Sequence, residues 1–186
     1  MRSSYSRKKQ PDVVRREILN RGAMLCATKA VASVSLQEVA DAAGVTKGGL
    51  LHHFPSKESL VTAIVDELLE RFEADIEDLA GQDPERYGRF TRAYINVTFA
   101  MMAETELAHW KALIMILLTE PALTERWNRW LERKLEEHGE TDSSPELQLA
   151  RFAVDGIWFA GLLGSEPEPR DTAHARARLI RMTVQP

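Results

Sequence analysis

The stretch SLQEVADAAGVTKGGLLHHFPSKES, running from Ser35 to Ser59, decides how the chain is read. Ser35 followed by Glu38 is a capping box: the serine hydroxyl accepts from the amide three residues on, and the glutamate carboxylate accepts from the serine amide. A short helix therefore opens after Ser35 and ends near Ala43. Gly44 follows, where a tight turn needs the positive φ that glycine adopts without strain. Thr46 caps a second short helix, Lys47 to about Phe54. Pro55 stops it, and Ser56 caps a longer one. Short helix, glycine turn, short helix is the helix-turn-helix layout, in which the second helix enters the major groove. Gly48 and Gly49 each cost that helix about 1 kcal/mol relative to alanine. Such a cost makes sense where backbone must approach another surface closely. His52, His53 and Lys57 supply polar and cationic groups at phosphate-contacting range. The same residues also allow a plainer reading, in which the histidines cap a helix end and the glycines mark a mobile loop.

Upstream, Pro11 and Asp12 suit a helix start, since a missing N–H costs nothing there and an acid favours the helix dipole. This first helix runs to about Ala30, with Val14, Ile18, Leu25 and Cys26 on or near one face. Residues 1–10, with Arg2, Arg7, Lys8 and Lys9, read as a flexible basic tail. Downstream, Leu60, Ile64, Leu68, Phe72, Ile76 and Leu79 stripe a long helix over 57–79. Further helices are expected over 84–103, 105–119, 122–139, 145–164 and 172–184, separated by Glu104/Thr105, Pro121, the loop Gly139–Pro145 and the loop Gly164–Pro169. The expected fold is all-α with about nine helices: a helix-turn-helix domain over 11–58, then a helical domain over 59–186.

The formal net charge of −4 conceals an asymmetry. Residues 1–58 carry ten Lys/Arg against five Asp/Glu, hence +5; residues 59–186 carry fourteen against twenty-three, hence −9. A basic head on an acidic body is expected when one end faces phosphates. The single cysteine, Cys26, excludes an internal disulfide and reads as a small core residue. No apolar run reaches the roughly 18 residues of a membrane span, and no apolar core follows the basic N-terminus, so a cytoplasmic chain without a membrane partner is expected. Enzyme motifs are missing: no HExxH, no nucleophile elbow, no phosphate-binding glycine loop. His52 and His53, about 100° apart on a helix, make a poor chelate. Neither a metal nor a cofactor is expected.

From about Arg15 to Leu69 the chain resembles the DNA-binding domain of the TetR family of repressors. The resemblance rests on Ile18-Leu19, on Ser35 through Leu50, and on His52-His53-Phe54-Pro55-Ser56-Lys57-Glu58-Ser59-Leu60. It implies that Thr46 and Lys47 open the recognition helix and contact phosphate and base edges. Gly48 and Gly49 would lie against the groove, His52 and Lys57 would face phosphate, and Gln37 would reach DNA from the preceding helix. Leu50, Val39, Ala40 and Phe54 would form the small core. The chain departs from the family at Leu51, where a phosphate-binding tyrosine is frequent, and at Ala30, where glycine is usual.

Beyond residue 84 the resemblance is one of layout only. It implies a four-helix dimer interface from the 145–164 and 172–184 helices, and Phe152, Ile157, Phe159, Ala160, Leu162 and Leu163 leave the former apolar almost all round. Two reading heads must meet successive major grooves about 34–36 Å apart, so a homodimer on a palindromic operator is expected. Phe99, Met102, Trp110, Met115, Trp127, Trp130 and Trp158 suit an apolar effector pocket, although most such residues are ordinary core. Glu104, Glu106, His109 and Asp155 are its polar candidates. A buried Asp155 or Glu106 would favour a cationic aromatic ligand. The implied function is a repressor released from operator DNA by a small molecule. The alternative is a DNA-binding regulator that is ligand-independent or controlled by another protein.

Overall fold

The computed structural model describes residues 4–103, 107–162 and 169–184, and every regular element among them is a helix. In chain order these are α1 (Ser4–Thr28), a 3-10 turn (Val31–Ser33), α2 (Leu36–Ala42), α3 (Lys47–His53), α4 (Lys57–Gln82), α5 (Arg89–Ala103), α6 (Leu107–Thr119), α7 (Pro121–Glu137), α8 (Gly139–Asp142), α9 (Pro145–Leu162) and α10 (Pro169–Met182). The chain divides into two compact units, one of residues up to Leu69 with Ala108–Glu125, the other of Glu70–Leu107 with Arg126 onward. The boundary expected at residue 58 thus lies within α4, which at 26 residues is about 39 Å long and contributes to both units.

In the first unit α1, α2, α3 and the front of α4 bury Ile18, Cys26, Val39, Leu50, Phe54 and Ile64. Burial pushes the Cys26 thiol up to about 11, so it stays protonated and behaves as a small apolar group. Helix α1 starts at Ser4, not at Pro11, which lies inside it. The expected tail over 1–10 is therefore helical from Ser4. Its Arg, Lys and Gln residues are good helix formers, and they carry the helix through a proline that forfeits one backbone hydrogen bond.

In the second unit α5 packs against α9 and α10 through Phe90, Tyr94, Ile95, Leu147, Val154 and Leu179, all buried. Helix α5 starts at Arg89 instead of residue 84 because side chains hold the chain open before it. Asp83 Oδ1 accepts from the Glu85 amide at 2.9 Å and Glu85 Oε1 from the Tyr87 amide at 3.2 Å. Gly88 then turns with φ +67°. The cap of α5 comes from far away in sequence. Buried Asp142, in the one-turn α8 of the expected loop Gly139–Pro145, accepts from the amides of Phe90 at 3.3 Å and Thr91 at 2.8 Å. A carboxylate at a helix N-terminus satisfies orphan amides and meets the positive end of the dipole. Arg92 fastens the same corner, donating to Asp83 Oδ2 at 2.5 Å, the Glu85 carbonyl at 2.8 Å and the Thr183 carbonyl at 2.6 Å. Between α4 and α7, buried Lys134 Nζ meets Glu73 and Glu77 at 2.6 Å and Glu137 at 3.0 Å. Burial opposes its charge, but the three carboxylates prevail and hold the ammonium above its ordinary value.

Candidate functional site

The expected capping box is present. Ser35 Oγ accepts from the Glu38 amide at 3.2 Å, and Glu38 Oε2 accepts from the Ser35 amide at 3.0 Å. Lys29 Nζ adds a 2.7 Å ion pair to Glu38 Oε1. The Lys29 bond first, then the Ser35 bonds, lower the Glu38 carboxyl to about 2. Gly44 makes the turn with φ +67°, and the Val45 amide donates back to the Ala40 carbonyl at 2.9 Å. Thr46 caps α3, its hydroxyl accepting from the Gly49 amide at 3.0 Å. Leu50 and Phe54 pin α3 to the core, and the Arg15 guanidinium lies 5.2 Å from the Phe54 ring centre.

With Leu50 and Phe54 facing inward, Thr46, Lys47, Gly48, Leu51 and His52 face out. A Cβ at Gly48 would meet nothing within 4 Å, so the protein's own packing does not require glycine there. Gly49 is half-buried, and a Cβ there would press to 3.2 Å of Thr46 Oγ1, the capping atom. Gln37 is exposed on α2 and donates to Asp41 Oδ1 at 2.8 Å. Lys57, at the start of α4, is half-buried, with Nζ donating to the Ala32 carbonyl at 2.8 Å. That bond ties the start of α4 to the 3-10 turn before α2 and was not legible from the motif.

Residues 18–64, which hold this arrangement, match the family described as bacterial regulatory proteins, tetR family. Residues 88–184, more than half the chain, match the Tetracyclin repressor-like C-terminal domain. The chain belongs to the TetR family. Curated relatives resemble part of it. The transcriptional repressor KstR2 of Rhodococcus jostii is 41% identical over 68 residues, 37% of this chain and 30% of that protein. KstR2 of Mycolicibacterium smegmatis is 34% identical over 61 residues, 33% of this chain and 30% of that protein. The aligned part thus spans under a third of these relatives. Among solved structures, a TetR family transcription regulator from Marinobacter aquaeolei has a TM-score of 0.74 at 15% identity, covering 96% of this chain and 100% of that one. AibR in complex with isovaleryl coenzyme A and operator DNA gives 0.68 at 22%, covering 93% and 99%. These establish the TetR fold.

The candidate effector residues of this TetR-family chain are dispersed. Phe99 and Met102 lie on α5, buried and half-buried respectively, and a Cβ at Gly161 of α9 would come within 3.7 Å of Met102 Cε. Trp127 and Trp130 of α7 pack on Phe72 of α4 with ring centres 5.7 and 5.5 Å away, and Phe72 also meets Tyr94 at 5.4 Å. Buried Trp158 leaves its indole N–H without a hydrogen-bond partner among the described residues. Asp155 is exposed overall, yet its Oδ1 accepts from the buried Tyr94 hydroxyl at 2.8 Å. Desolvation raises the Asp155 carboxyl above the usual range, against the Tyr94 bond and Arg151, which lower it. Trp110 and Met115 belong to the other unit, in α6; Trp110 is buried but Met115 is 37% exposed. Helix α6 is apolar nearly all round, so its sequence did not say which side faces out. Glu104 and Glu106 lie outside the described residues. Lys29 and Asp142 were not singled out from sequence, because their partners are nine and about fifty positions away.

Proposed function

We propose that this chain is a transcriptional repressor, not an enzyme, that binds a palindromic DNA operator as a homodimer in the cytoplasm and leaves it when a small effector binds. The observation that carries the reading is the outward face of α3, where a capped helix start, a lysine, an unshielded glycine backbone and a histidine lie together. Gln37 and Lys57 flank it. The named relatives are repressors, and one neighbour of the same fold was solved with operator DNA and an acyl coenzyme A.

Each lysine at a phosphate releases counterions, so operator affinity should fall steeply with salt. Replacing Lys57 by alanine should weaken specific and non-specific binding together and reduce the log–log salt slope by about one unit per half-site. Titrations between low and physiological salt read this directly, and an unchanged slope removes Lys57 from the interface.

The homodimer reading draws on α9. Leu149, Phe152 and Phe159 are 58%, 62% and 44% exposed, and at helical spacing they share one face with Gly156. Large apolar side chains in one stripe mark an interaction surface, and a closed two-fold pairing covers the same stripe on both copies. Phe152→Glu should convert the dimer to monomer by light scattering at micromolar concentration, and a wild-type monomer there would remove the pairing.

The effector is read as a small apolar or aromatic molecule, with Phe99, Met102, Trp127, Trp130, Asp155 and Trp158 as the candidates for holding it in the second unit. An effector acts only by binding the DNA-incompetent state more tightly, and DNA must then weaken effector binding by the same factor. Helix α4 contributes to both units and is the element through which such a preference would pass, with the Lys134 cluster fixing its second half to α7.

A further inference from the structure

We infer that Leu51 reads a thymine methyl group in each operator half-site, an assignment that rests on the reading of α3 as the DNA-facing helix. Leu51 is 37% exposed, while its neighbour Leu50 is fully buried. At 100° per residue the outward positions fall in the order Lys47, Leu51, Gly48, His52 across roughly 140° of the helix. Leu51 therefore lies inside the outward arc and not at its edge. Gly48, three positions before it on the same face, has no side chain to screen it, and the space a Cβ would occupy there is open. The result is a branched apolar group standing beside bare backbone, with Lys47 on one side and His52 on the other.

Leucine offers no donor and no acceptor, so it cannot bind phosphate or distinguish bases by hydrogen bonding. In the major groove the one apolar group that base edges present is the thymine C5 methyl. Contact with deoxyribose would also cover Leu51, but that contact is the same for every sequence. The apolar side chain thus turns a position on the reading face from anchoring to discrimination, and it does so through shape and desolvation alone.

The test uses the full-length protein. Duplexes enriched from random DNA define the bound sequence, and each thymine in it is replaced singly by deoxyuridine, which removes the methyl group and leaves every hydrogen-bonding atom. One position per half-site is expected to lose about fourfold in affinity, the worth of one buried methyl-sized group. Leu51→Ala, at an exposed position, should bind the thymine and deoxyuridine duplexes equally, and Leu51→Met should retain part of the preference. Circular dichroism of both variants establishes that they are folded. If no thymine is sensitive in the wild type, or if Leu51→Ala keeps the same sensitive position, the assignment is overturned while DNA binding by α3 stands. If no duplex is enriched at all, the reading of α3 fails and the assignment falls with it.

Discussion

Replacing Gly88 by alanine is expected to lower the melting temperature by about 10 °C. Two costs add. Gly88 has φ +67°, and an L-residue in the left-handed region costs about 1–2 kcal/mol. A Cβ there would also stand 2.5 Å from the Thr183 carbonyl oxygen and 3.0 Å from Leu147 Cδ2. The first neighbour is backbone and cannot swing away. It is also held by Arg92, which donates to that same carbonyl at 2.6 Å. Relieving the overlap costs about 1–3 kcal/mol more, for a total near 3 kcal/mol, and each kcal/mol is worth about 3 °C in a protein of this size. Gly81→Ala is the control: nothing lies within 4 Å of its Cβ position and it sits within α4, so it should be neutral or stabilising by up to about 1 kcal/mol. Thermal melts followed at 222 nm compare the two, and equal effects would contradict the geometry at Gly88.

Lys47→Glu is expected to weaken operator binding by at least about a hundredfold with no loss of thermal stability. Lys47 is exposed at the first position of α3. A glutamate there faces the positive end of the helix dipole and is, for folding, as good or better than lysine. For DNA the sign reverses. A counterion-releasing cation becomes a carboxylate facing phosphates, and like charges brought together at an interface cost several kcal/mol. Each half-site of a dimer bears this loss. Lys47→Gln should fall between the two, and the gap between glutamine and glutamate should narrow as salt rises. Fluorescence anisotropy with the operator duplex, alongside a melt of each variant, reads both halves of the expectation. A Lys47→Glu protein that binds normally would take α3 out of the groove.

How much of this the sequence disclosed follows from how far apart the partners lie. The Ser35–Glu38 box, the Gly44 turn and the Thr46 cap each close over a few residues, so their patterns name their geometry. The start of α5 could not be read in that way. Its cap, Asp142, comes from some fifty positions downstream, and Gly88 is demanded by a carbonyl at Thr183. Pro11 suits a first turn and so suggests a helix start, yet α1 begins at Ser4 and carries the proline inside it. In the site, Thr46, Lys47, Gly48 and His52 share an outward face as their helical spacing implies. The Lys57 bond to the Ala32 carbonyl depends on a chain reversal that no local pattern encodes. Effector residues were the least legible. Side chains such as Trp127, Trp130 and Met115 are apolar whether they fill a core, line a cavity or face out, and only the fold distinguishes Trp130, buried against Phe72, from Met115, exposed on α6.

A homodimer that reads DNA in this way places α3, with its glycine-paired start, in a duplex groove twice. Enrichment of random double-stranded DNA by the purified protein at low ionic strength tests it most directly. The expected product is an inverted repeat whose half-sites are centred one helical turn, about 34–36 Å, apart or a multiple of it. Recovery of unselected sequence, with no duplex preferred over any other, would contradict it.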